Sequence, residues 1–201
     1  MCFDVWKRQY YASGRPEISQ EELIMKYLNE CVKDSMLRHR PQIVARLVER
    51  IVFWDFHGTL CPLQATPGRV LIPEDEYATI FINREDPLSH RIPPNTLMTL
   101  VNTVLDPNKQ FLLSVVTSSL EFDAEKKYMR EYFPAIPETN LIAVAKPEYK
   151  AIFIRAIVES NRLDELLLNY SPVMVDDSFN VLSSVQNNGI ATALHISSLI
   201  P

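Results

Sequence analysis

From residue 50 onward, short apolar, β-branched runs alternate with stretches of helical character, and this alternation restricts the fold more than any other feature. The runs cover 51–54, 111–116, 141–144, 173–175 and 190–194, with helix-like segments at 95–105, 121–132, 148–160 and 179–187. Strands alternating with helices build βαβ units and a mostly parallel sheet with helices on both faces. The expected class is therefore α/β with a Rossmann-like sheet. Such sheets bind ligands beyond the carboxyl ends of their strands, so chemistry is sought in the polar residues that follow each strand.

The first fifty residues read differently. Ser19-Gln20-Glu21-Glu22 has the form of a capping box that opens a helix. Leu23, Ile24, Tyr27, Leu28, Cys31 and Val32 then recur at helical spacing. Pro41 ends that helix or starts the next, where Ile43, Val44, Leu47 and Val48 repeat the pattern. Two units are expected: an N-terminal helical extension over 1–49 and an α/β domain over 50–201. One stretch, 61–93, breaks the alternation. Its β-like runs 69–73 and 78–83 surround Glu74-Asp75-Glu76 and predict a β-hairpin flap after the first strand.

At the strand ends, the first run closes in Asp55-Phe56-His57-Gly58-Thr59-Leu60, the second in Thr117-Ser118-Ser119 and the fourth in Asp176-Asp177-Ser178, while Lys146-Pro147 follows the third. Crowded carboxylates repel one another unless a cation sits among them. Oxygen-only ligands at a phosphate site suit Mg²⁺. A carboxylate can then attack phosphorus while the metal and Lys146 neutralise the phosphoryl oxygens. Thr117 and the backbone N–H groups after it can hold a non-bridging oxygen. Charge is consistent with this chemistry. Net charge is −5; residues 1–50 hold nine Lys/Arg and seven Asp/Glu, or +2, which leaves −7 for the rest. An acidic domain lacks the basic face that nucleic acid requires, and it needs a cation to hold an anion.

The four blocks, in this order and spacing, resemble the four motifs of the haloacid-dehalogenase-like (HAD) superfamily over residues 50 to about 196. The resemblance implies a phosphatase in which Asp55 forms an aspartyl-phosphate intermediate. It implies Mg²⁺ held by Asp55, the His57 backbone carbonyl, Asp176 and Asp177, with Thr117 and Lys146 on the phosphoryl group. Thr59, Ser118 and Lys146 are the expected substrate-binding residues. Lys150 competes for the lysine role; Lys146 is preferred because Lys-Pro before an apolar helix is closer to the family's usual context.

His57 departs from that pattern, since phosphatases of the superfamily usually carry a second Asp two residues after the nucleophile to protonate the leaving group. An imidazolium can do the same, because its ordinary pKa of about 6.5 lies near working pH, and turnover is then expected to favour slightly acidic pH. His57 also keeps two other readings open. One is a catalytically silent phosphate-binding module. The other is dehalogenase chemistry, against which Asp176-Asp177 argues, because dehalogenating relatives need no Mg²⁺.

Neither 61–116 nor 118–145 leaves room for a sizeable cap domain once the flap, a helix and a strand are placed. A capless site suits a large substrate, such as a phosphorylated protein side chain including phosphotyrosine, unless the N-terminal helices act as a lid. Cys61 and Arg69 stand at C-x₇-R, not the C-x₅-R of thiol phosphatases. Cys2, Cys31 and Cys61 are odd in number and widely spaced, so reduced thiols and a cytoplasmic setting are expected. There is no apolar run of membrane-spanning length and no secretory h-region in the first residues. The sequence stops at Ile200-Pro201 soon after the fifth run, which leaves open that it is a piece of a longer protein.

Overall fold

Side chains of the central strands alternate between two apolar layers, and that alternation sets the architecture. The computed structural model describes residues 1–61, 93–160 and 172–199. Within them, β1 (Val52–Trp54), β2 (Gln110–Val115), β3 (Leu141–Val144), β4 (Val173–Asp176) and β5 (Thr192–His195) form one sheet of order β3-β2-β1-β4-β5. Every neighbouring pair is parallel. The α/β fold expected from the alternation is the one observed. The flap expected over 61–93 lies outside the described residues except at its two ends.

Val52, Trp54, Leu112, Val173 and Val175 point into one core, while Phe53, Leu113 and Met174 point into the other. Successive strand residues face opposite ways, so a sheet buried on both faces needs continuous apolar runs. Helices α7 (Tyr149–Glu159) and α8 (Phe179–Asn187) cover the second face through Ile154, Val181, Leu182 and Val185. The first face is covered by α5 (Asn95–Thr99), which continues as a π-helical turn over Leu100–Val104, and by α6 (Ser119–Tyr132).

The N-terminal helices α1 (Phe3–Ala12), α2 (Gln20–Cys31), α3 (Ser35–Arg38) and α4 (Pro41–Ala45) share that first core. The Ser19–Glu22 capping box forms, and Pro41 opens α4 rather than closing α2. Phe3, Trp6, Tyr10 and Tyr27 make stacked, edge-on and tilted ring contacts 5.2–6.4 Å apart. Lys109 pairs with Asp4 at 2.6 Å and ties α1 to the residue before β2. These helices therefore lie on a sheet face and contribute no side chain to the cleft described below. Between residues 118 and 145 the structure contains α6, a short 3₁₀ turn and β3, with no cap. Among the described residues, no helix is long and apolar enough to cross a membrane.

The buried polar groups around Gln110 are paired. Gln110 accepts from Trp54 Nε1 at 3.1 Å and donates to the Val101 carbonyl at 2.9 Å, and its own carbonyl accepts from Asn140. Because α1 and β1 draw on one core, Trp6→Ala should destabilise the whole protein by about 3–5 kcal/mol. Urea unfolding followed by fluorescence and by far-ultraviolet circular dichroism should give one coincident transition; an early transition confined to the N-terminal helices would contradict the shared core.

Candidate functional site

The carboxyl ends of β1 and β4 lie side by side, and each ends in an aspartate. Asp55 continues the β1–β4 ladder, its N–H donating to the Val175 carbonyl at 2.9 Å. The chain then turns sharply. Thr59 N and Cys61 N both donate to the Phe56 carbonyl, and Gly58 takes φ +75°, a conformation open to glycine at little cost. Tyr128 of α6 secures the turn by donating to the Leu60 carbonyl at 3.1 Å. Thr59 is fully buried and its hydroxyl lies 3.4 Å from Asp55 Oδ2, so it orients Asp55 instead of lining the cleft.

At the end of β4, Asp176 Oδ1 accepts from Ser178 N at 2.8 Å. The backbone carbonyl of Asp177 accepts from His195 Nε2 at 2.9 Å, while His195 Nδ1 accepts from Ser197 N, which assigns the tautomer. Oxygens of Asp55, Asp176 and Asp177 approach within 4.8 Å of one another.

A lysine lies among them, and it is Lys150, not Lys146. Lys150 Nζ is 2.5 Å from Asp55 Oδ1 and 2.7 Å from Asp176 Oδ2, and the residue is 2% exposed. Lys146 is exposed and lies outside the cleft lining. The cause is local. The chain turns through 146–149, with the Lys146 carbonyl accepting from Tyr149 N and the Pro147 carbonyl from Lys150 N. Only after that turn does α7 aim a side chain beneath the strand ends. The sequence did carry a signal for this, because Lys150, Ile154 and Ile157 occupy one helical stripe facing the core. A lysine on a buried stripe needs a carboxylate partner.

Burial favours a neutral Lys150, but Asp55 and Asp176 outweigh it and raise its pKa, so the ammonium is retained. Burial, followed by repulsion from Asp55, raises Asp176 above the ordinary carboxylate range. Burial and the charges of Asp55 and Asp176 raise Asp177 likewise. Three carboxylates and one ammonium would carry −2 if all were ionised (−3 plus +1). An oxygen-only set with that excess fits a hard divalent cation.

The opposite wall of the cleft comes from α6. Thr117 N and Oγ1 both donate to Glu121 Oε2, at 2.7 and 2.9 Å. Ser118 caps the helix by accepting from Glu121 N, and it does not line the cleft. One turn on, Glu125 is 1% exposed and accepts from Ser114 Oγ at 2.9 Å. His57 Nε2 lies 3.4 Å from Glu125 Oε1 and 4.0 Å from Glu121 Oε1. Neither glutamate is apparent from the strand-end motifs. Glu125 nonetheless stands in line with the buried Tyr128 and Met129, where an unexplained acid marks a site. Asp55, His57, Thr117, Glu121, Lys150, Asp176 and Asp177 together line a cleft of about 270 Å³.

Burial first, then repulsion from Glu121 and Asp55, pushes the Glu125 carboxyl up to about 9. The folded protein thus keeps a proton that the unfolded chain releases above its ordinary value of 4.5. Stability from this group is complete below about 4.5 and is lost as pH rises toward 9. Between pH 5.5 and 8.5 the melting temperature should fall more steeply for the parent than for Glu125→Gln; equal slopes would contradict the assigned proton.

No family profile and no curated protein sequence matches the chain. Among solved structures, the chain is similar to the HAD domain of effector protein Lem4 from Legionella pneumophila. Identity is 13%, coverage is 74% of this chain and 85% of that chain, and the TM-score is 0.40. The fold class itself rests on the all-parallel sheet and its two covered faces.

Proposed function

We propose that the protein is a HAD-type, Mg²⁺-dependent phosphate monoester hydrolase with Asp55 as nucleophile. The observation that carries this reading is the shared ammonium of Lys150 between Asp55 and Asp176 at the carboxyl edge of two central parallel strands. In the proposed reaction a carboxylate oxygen of Asp55 attacks phosphorus, and the bond to the leaving oxygen breaks with its electron pair. His57 gives that oxygen a proton, which leaves an aspartyl phosphate and a neutral imidazole. Water then attacks the same phosphorus, loses a proton to His57 and releases phosphate, so both side chains return to their starting states. Mg²⁺ held by Asp55, Asp176, Asp177 and the His57 carbonyl would neutralise charge on the phosphoryl oxygens. Lys150, and not Lys146, takes the lysine role, holding Asp55 and balancing the phosphoryl charge. Thr117 offers its N–H and hydroxyl to a phosphoryl oxygen once they leave Glu121, whose carboxylate now fills that acceptor position.

A phosphorylated protein is the substrate class best supported. Leu120, Tyr149 and Phe179 are exposed on the first turns of α6, α7 and α8, the helices that follow β2, β3 and β4. Each is the chain neighbour of a residue that lines the cleft (Glu121, Lys150 and Ser178), and exposed apolar side chains so placed suit residues that flank a phosphorylated side chain. An aryl leaving group, as in phosphotyrosine, asks less of the proton donor than an alkyl one does, which fits histidine in that place. The closure of Thr117 on Glu121 favours a second reading, a module that binds phosphoryl groups without turning them over.

Hydrolysis of p-nitrophenyl phosphate by the full chain with Mg²⁺ separates the two. Turnover should fall at least ~10³-fold in Asp55→Asn and about 10²–10³-fold in Lys150→Met, while Lys146→Ala stays within about threefold of the parent, as expected of a surface side chain. Mg²⁺-dependent binding of vanadate without turnover would support the silent module, and a Lys146 effect as large as that of Lys150 would overturn the assignment of the lysine.

A further inference from the structure

We propose that Glu125 is a positioning residue for the leaving-group step: anchored by Ser114, its carboxyl holds the imidazole of His57 at the wall of the cleft. The inference rests on the reading of Asp55 as nucleophile and His57 as proton donor, and it adds the part of the machinery that replaces the family's second aspartate. A histidine two residues beyond the nucleophile has a larger ring and a different reach from an aspartate. It serves the leaving group only if something fixes its χ angles.

Three observations meet on Glu125. Its carboxyl is buried in a row that otherwise continues with Tyr128 and Met129, where an apolar side chain would cost less. Its Oε1 is fixed by the Ser114 hydroxyl from β2 at 2.9 Å, so its position is set by the sheet and not only by its helix. The same Oε1 faces His57 Nε2 at 3.4 Å. That separation exceeds an ordinary hydrogen bond and matches the loose geometry common before substrate is bound. Phe56 meets the His57 ring edge-on at 5.1 Å and limits its movement on another side. Glu121 lies one turn earlier at 4.0 Å, but Thr117 already engages its other oxygen. Glu125 is thus the closer of the two acceptors. A carbonyl oxygen at Oε1 accepts from Nε2–H whatever the charge of the carboxyl, so the orienting contact does not depend on its ionisation.

The test compares kcat/KM, which reports transfer to Asp55, for p-nitrophenyl phosphate and phenyl phosphate at one fixed pH with Mg²⁺. The first leaving group departs without a proton; the second needs one. Glu125→Met keeps the bulk and removes the acceptor. It should lower kcat/KM for phenyl phosphate about 10–100-fold, a part of the usual worth of acid catalysis, and change that for p-nitrophenyl phosphate less than about threefold. Glu125→Gln keeps an acceptor oxygen and should restore phenyl phosphate turnover to within about threefold of the parent, the size of a lost neutral hydrogen bond or less. Adding Glu125→Met to His57→Asn should cost nothing further. If circular dichroism shows that Glu125→Met does not fold, Ser114→Ala carries the same expectation with a smaller selective loss. Equal losses for both esters, no loss for either, or full additivity with His57→Asn overturns the proposal while leaving Asp55 as nucleophile. A parent that turns over neither ester overturns both.

Discussion

One ammonium shared between two buried carboxylates holds the candidate site together. Lys150 reaches up from the first turn of α7 to Asp55 and Asp176, which end two neighbouring strands. Each of these groups would be costly alone at 1–5% exposure. Together they are still unbalanced, because Asp177 adds a third carboxylate and no second cation among the described residues faces it. Burial first, and then that excess of negative charge, raises the pKa values of Asp176 and Asp177. A divalent cation and a phosphoryl dianion would complete the charge balance, with the first recruited by the carboxylates and the second by the cation and Lys150. On the proposed reading, a chain of net charge −5 would take an anion in this way.

The fold delivers this arrangement through ordinary sheet geometry. Parallel pairing of β1 with β4 brings two aspartates together although they are far apart in sequence. The tight turn around Gly58 then returns the chain so that His57 faces α6, where Glu121 and Glu125 wait one turn apart. Tyr128 fastens the far side of that turn through the Leu60 carbonyl. The N-terminal helices act at a distance, by burying the face of the sheet that carries Trp54 and so fixing the strand from which Asp55 emerges.

Much of this is legible in the amino-acid sequence. Apolar runs wide enough for two buried faces specified a parallel sheet, and polar blocks at their ends specified where to look. What periodicity could not resolve was side-chain direction near helix starts. Lys146 and Lys150 are four residues apart, and which one turns inward depends on a backbone turn over 146–149 that the residue types leave undecided. Thr59 and Ser118 illustrate the same limit: both sit in the right blocks, yet one is buried behind Asp55 and the other caps a helix. Glu121 and Glu125 lie inside a helix, where motifs at strand ends give no sign of them. Charged residues on a buried helical stripe were the available sign, and Lys150 and Glu125 both carry it.

In the proposed reaction the buried ammonium and a bound cation together present Asp55 to phosphorus. Brief reaction of the full chain with a phosphate ester and Mg²⁺, quenched in acid and read by peptide mass spectrometry, tests it most directly. A single phosphoryl group is predicted on the peptide that bears Asp55, present only with the cation and absent from Lys150→Met. A phosphoryl group on another residue, or on Asp55 regardless of cation and of Lys150, would contradict it.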